Sequence, residues 1–124
     1  MNVALEPFAR TCVESAFGRD LPMGVRAAVV HYARRLRLPE PPAAVPAFRR
    51  GAGTGIAADT NVEFPVAPEV EEMLAEEARR QGVPIDRIVG HAVFVYFADL
   101  DRARAGRHAL RGGREAVAFA ASPS

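Results

Sequence analysis

The chain has 124 residues, 49% of them apolar and 25% charged, with a formal net charge of +1. This is the composition of one modest folded domain or two small ones sharing a core, and it excludes disorder throughout. No apolar run reaches the length of about eighteen residues that spans a bilayer and no signal segment opens the chain, so a cytoplasmic protein without membrane contact is expected.

In chain order, Asn2 to Leu5 has the alternation of a very short strand, but over too few residues to define one. From Pro7, the apolar residues Phe8, Ala9, Cys12, Val13, Ala16 and Phe17 form a stripe that ends at Gly18, which predicts a first helix. Asp20 is a natural N-cap, and Leu21, Val25, Ala28, Val29, Tyr32 and Leu36 lie on one face of a second helix. Residues 1–37 therefore read as a helical hairpin. Residues 38–60 break all periodicity, with prolines at 39, 41, 42 and 46 and glycines at 51, 53 and 55, and read as a linker. The segment Gly51-Ala52-Gly53-Thr54-Gly55 lacks the preceding strand and the Lys-Ser/Thr ending of a phosphate loop.

Val62, Phe64 and Val66 alternate with Asn61, Glu63 and Pro65, the period of a half-buried strand. Pro68 and the carboxylates Glu69, Glu71 and Glu72 suit the start of a helix. Val70, Met73, Leu74 and Ala78 carry its apolar face, and Gly82 stops it. Ile85, Ile88, Val89, Ala92, Val93, Tyr96, Phe97 and Leu100 follow helical spacing without a gap. Phe94 and Val95 widen that surface beyond what one neighbouring helix can cover, so the amino-terminal hairpin or a second chain must complete it. After Arg104 the pattern fades, and residues 105–124 read as a basic flexible tail.

The order of strand, helix, Gly-containing turn and apolar helix over residues 61–100 resembles the ribbon-helix-helix family of small DNA-binding proteins. The expected fold is mainly α with one short β-strand: a ribbon-helix-helix-like unit at 61–104 preceded by the hairpin. An offset of 64 residues aligns Gly18 with Gly82, Val25 with Val89, Ala28 with Ala92, Val29 with Val93, Tyr32 with Tyr96 and Leu36 with Leu100. A degenerate second copy explains these matches, and so does the general likeness of two amphipathic helices that each follow a Gly. If the repeat is real, the first copy lacks a convincing ribbon, since a constant offset maps its strand at or before residue 2.

The resemblance implies a homodimer whose paired strands enter the major groove of double-stranded DNA. The outward ribbon positions would be Asn61, Glu63 and Pro65, and the turn at Val83, Pro84 and Ile85 would hold a phosphate. The interface between chains would use Val62, Phe64, Val66, Ile88, Val89, Ala92, Val93, Tyr96 and Phe97. The implied function is a transcriptional regulator or an antitoxin with a toxin as protein partner. The chemistry of these positions is mixed. Asn61 can read adenine, but Glu63 repels phosphate and accepts only from cytosine, and Pro65 has no donor. Pro84 stands where the family usually has a Ser or Thr cap. Arg49, Arg50, Arg87, Arg102 and Arg104 are further candidates for phosphate contact. The alternative is a dimerisation and protein-interaction module that does not bind DNA.

Residues 1–50 carry eight Arg against four acids, whereas residues 51–124 carry eight Arg against eleven acids. All sixteen basic residues are Arg, which with the many Ala, Gly and Pro reflects GC-rich codon usage in a bacterial genome. The single cysteine, Cys12, excludes an intramolecular disulfide and a cysteine-based zinc site. His31, His91 and His108 lack metal-ligand spacing, and no nucleophile is paired with a base, so neither a cofactor nor an enzyme is expected.

Overall fold

The structure, a computed structural model, describes residues 1–46 and 58–121, with side chains as far as Gly106. The element order is β1 (Asn2–Leu5), α1 (Pro7–Phe17), α2 (Leu21–Leu36), β2 (Thr60–Glu63), α3 (Pro68–Gln81) and α4 (Ile85–Ala121). The architecture is mainly helical, with one short antiparallel pair of strands.

Each helix begins and ends where local chemistry requires. Pro7, Pro22 and Pro68 sit in first turns, where the missing N–H is no loss. Asp20 caps α2 by accepting from the Met23 N–H at 3.2 Å. Gly82 terminates α3 in the left-handed region at φ 69°, and the Val83 N–H then donates back to the Ala78 carbonyl at 3.0 Å. That closes a Schellman motif, and Val83 is buried against the helix end as the motif favours.

β1 and β2 pair within the chain, in the register Asn2 with Glu63, Val3 with Val62, Ala4 with Asn61 and Leu5 with Thr60. The Phe64 N–H donates to the Met1 carbonyl at 2.9 Å, extending the ladder by one rung. Alternation puts Val3, Leu5, Val62 and Phe64 on the buried face and Asn2, Ala4, Asn61 and Glu63 on the other. The expectation of no ribbon in the first half is thus corrected. The offset between the halves is not constant: Asn2-Val3 matches Asn61-Val62 at 59, and Gly18 matches Gly82 at 64. Three of the extra residues lengthen α3 over α1, and two lie between strand and helix.

The core is shared by both halves. α2 and α4 pack along each other, α4 also covers α1 and β1, and α2 covers α3 and β2, so each half closes the other. Val25, Ala28, Val29 and Tyr32 from α2 meet Ile88, Val89, Ala92 and Val93 from α4, all without solvent exposure. Burial of each larger side chain contributes about 1.5–3 kcal/mol. Val62, Phe64, Ile88, Val89, Ala92 and Val93, expected at an interface between chains, lie in this core; Val66, Tyr96 and Phe97 are half-buried against it. The wide apolar surface of α4 is therefore covered largely from within the chain.

Two sequence-predicted features take another form. The Pro-rich linker is anchored rather than free as far as Pro46: Pro42 and Val45 are buried. The Val45 N–H donates to Gln81 Oε1 at 2.8 Å, and His91 Nε2 lies 2.6 Å from the Ala43 carbonyl. The helix that ends the chain does not stop near Arg104 but continues to Ala121 through the stretch expected as a tail.

Gly24 marks the tightest crossing of α1 and α2, because a Cβ there would lie 2.4 Å from Val13 Cγ1 and 2.9 Å from Phe17 Cδ2. Gly24→Ala is expected to destabilise the protein by about 1–3 kcal/mol through overpacking. This outweighs the roughly 1 kcal/mol that Ala contributes through helix propensity. Urea denaturation checks the sign, and a stabilised variant would mean that α1 moves aside easily.

Candidate nucleic-acid interface

The outer face of the ribbon presents polar side chains of both halves side by side. Asn2, Asn61 and Glu63 are exposed and Ala4 is half-exposed. Asn2 stands opposite Glu63 and Ala4 opposite Asn61, so the four outward side chains form two cross-strand pairs. The chemistry is that of base-edge recognition: an Asn amide donates to and accepts from adenine, a carboxylate accepts from the cytosine amino group, and an Ala methyl packs on the thymine methyl. Asn2 and Ala4 were missed from the sequence. The signal that locates them is the repeat of Asn-Val at 2–3 and 61–62.

Pro65 does not belong to this row. It lies exposed beyond the end of β2, since a residue without an N–H cannot continue the ladder. Arg10, near the end of β1, reaches Asp59 and Glu14, each at 3.3 Å. Asp59 holds the Arg10 guanidinium above its usual value. The Thr60 hydroxyl, followed by Arg10, holds the Asp59 carboxyl below the usual range against some desolvation.

The helix N-termini beside the ribbon are poorly equipped for a phosphate. At α2 the Asp20 carboxylate occupies the position an anion would take. At α4 the Val83 N–H is spent on the Schellman bond and its side chain is buried, Pro84 has no N–H, and Asp86 adds a negative charge. Val83 is thereby corrected from a phosphate contact to a helix-end packing residue. Arg87 is half-buried and lines a cavity of about 200 Å³ with Ala4, Glu6, Ala58, Pro84, Asp86 and Gly90, beside the ribbon.

The remaining arginines are distributed otherwise than expected. Arg49 and Arg50 lie outside the described residues. Arg102 and Arg104 are exposed on α4, about 25 Å along the helix from its start at 1.5 Å per residue. Arg102 instead joins a cluster around Asp99, with Nη2 3.3 Å from Oδ1. The other carboxylate oxygen receives His31 Nε2 at 2.6 Å and Arg35 Nη1 at 2.5 Å, tying α2 to α4. Burial pushes the Asp99 carboxyl up, but the hydrogen bonds from His31 and Arg35 outweigh it and hold the group below the usual range.

A second polar cluster, Glu77 with Arg80 and Gln81, stands at the end of α3. Arg80 Nε donates to Glu77 Oε2 at 2.9 Å and Gln81 Nε2 to Oε1 at 2.7 Å, and the Arg80 contact above all keeps the Glu77 carboxyl low. Nearby Tyr32 is pushed up to about 12, first by burial and then by the Glu77 charge. These groups hold the connector and the helix crossing; they do not face the ribbon's outer row.

Among the described residues no group of three or more His, Cys, Asp or Glu is placed to hold a metal ion, and no helix is long and apolar enough to cross a membrane. Comparison with protein-family models, with curated proteins and with solved structures finds no match.

Proposed function

We propose that the chain is a single-chain counterpart of a ribbon-helix-helix dimer and acts as a DNA-binding transcriptional regulator, its β1–β2 ribbon entering the major groove. One observation carries the reading. Two Asn-Val segments pair antiparallel with their apolar side chains inward and polar side chains outward, each followed by a Pro-started helix, a Gly turn and an apolar helix. In the family two chains are needed to build such a ribbon; here one chain supplies both strands. The test is fluorescence anisotropy at low salt on random-sequence duplexes and on the protein's own promoter. Binding should weaken as salt rises, because phosphate contacts release counterions. The double variant Asn2→Ala with Asn61→Ala should lose about ten-fold or more on the preferred site. No binding to any duplex would overturn the proposal.

A second reading, a protein-interaction module without DNA affinity, draws on the carboxylates at Asp20, Asp86 and Glu63 and on Pro84, which weaken the phosphate contacts such a ribbon relies on. It gives no salt-dependent association with nucleic acid in the same titration.

A further inference from the structure

Resting on the DNA-binding reading, we infer that the ribbon recognises a non-palindromic duplex site, with Glu63 and Ala4 as the residues that set its two halves apart. The strand register makes Asn2 and Asn61 equivalent positions, and likewise Ala4 and Glu63, about an axis that passes through the Val3–Val62 pair. A ribbon built from two identical chains must present the same side chains on both sides of that axis, and its best site is a palindrome. This ribbon does not. Both strands offer an outward Asn, but next along the outer row one strand has a methyl group and the other a carboxylate.

The spacing fits base-by-base discrimination. Outward neighbours on one strand are about 6.6 Å apart, two residues at about 3.3 Å each. That is close to two base-pair steps at about 3.4 Å. Each Asn can form a bidentate pair with an adenine. Near Asn2 the opposing Glu63 can accept a hydrogen bond from a cytosine amino group and disfavours bases that present only acceptors there. Near Asn61 the opposing Ala4 carries no charge and favours a thymine methyl. Glu63 is exposed and makes no ion pair among the described residues, so its carboxylate is not neutralised by a neighbour.

The experiment is selection of bound duplexes from a random library by the full chain at low salt, followed by sequencing. Glu63→Ala and Ala4→Glu are run alongside, and their folding is checked by thermal unfolding. The wild type should select a site with adenine in both halves and a C·G pair in one half only. Glu63→Ala makes both strands Asn/Ala, and its consensus should become palindromic, with about ten-fold weaker preference for the wild-type site over the palindrome. Ala4→Glu makes both strands Asn/Glu and should give a palindrome with C·G in both halves. A palindromic wild-type consensus, binding without sequence preference, or a Glu63→Ala consensus equal to that of the wild type would overturn the asymmetry while leaving DNA binding in place. Failure to retain any duplex would overturn the DNA-binding reading and the asymmetry with it.

Discussion

Replacing Phe64 with Ala is expected to cost the fold about 3–5 kcal/mol, the largest effect of any single truncation on the ribbon side of the core. Phe64 is 1% exposed, its N–H is bonded to the Met1 carbonyl, and its ring packs into the cluster that includes Leu5, Val3 and Val62. Nothing on the ribbon's outer face can collapse into the space left, because Asn2, Asn61 and Glu63 are held outward by the pleat. Since a domain of this size has only about 5–15 kcal/mol of stability, the variant should be partly unfolded at moderate urea. Equilibrium denaturation should show a lower midpoint with an unchanged slope, and Phe64→Leu should lose distinctly less. A loss under about 1 kcal/mol would mean that the ribbon is not docked on the helices.

Removing the Asp99 carboxylate should produce the second large effect and a distinctive pH dependence. The Asp99 side chain is 16% exposed and bridges His31 and Arg35 on α2 to its own helix, so Asp99→Ala leaves two donors facing each other without their acceptor. Because His31 and Arg35 are 31% and 22% exposed, water recovers part of the loss. A cost of about 1–3 kcal/mol is expected at neutral pH. The sign with pH follows from the depressed acidity of Asp99. In the unfolded chain the group takes up a proton near pH 3.9. The stabilisation is complete above that value and is lost as pH falls through the lower folded value. Wild type and variant should therefore converge in stability at acid pH and differ most near neutrality, as urea midpoints across a pH series would show. Equal midpoints near neutrality would mean that α2 and α4 are joined by their apolar contacts alone.

The helices were legible because each carries its own start, stop and period. Asp20, Pro68, Gly18 and Gly82 punctuate them, and the stripe from Ile85 to Phe97 repeats without a gap. β2 was legible from the alternation of Val62 and Phe64, although Pro65 ends the pairing earlier than alternation suggests. β1 was not. Four residues offer only two alternations, and the evidence for the strand is its partner, which lies across the chain at a distance no local pattern reports. The shift in offset from 59 to 64 hid the match between Asn2-Val3 and Asn61-Val62 from an alignment made on the glycine turns.

The candidate site was half legible for the same reason. Asn61 and Glu63 follow from β2, whereas Asn2 and Ala4 enter only once the strands pair. Arg102 and Arg104 looked available from composition, but their place depends on distance along α4. The anchoring of Val45 and Ala43 by Gln81 and His91 depends on side chains whose own helices give no sign of it.

Having both strands on one polypeptide changes the order of the folding reaction. A ribbon assembled from two chains forms in a second-order step, and its population falls with dilution. Within one chain the tether sets the concentration of each half around the other. Closing this ribbon is then a unimolecular event whose midpoint does not depend on how many copies the solution holds.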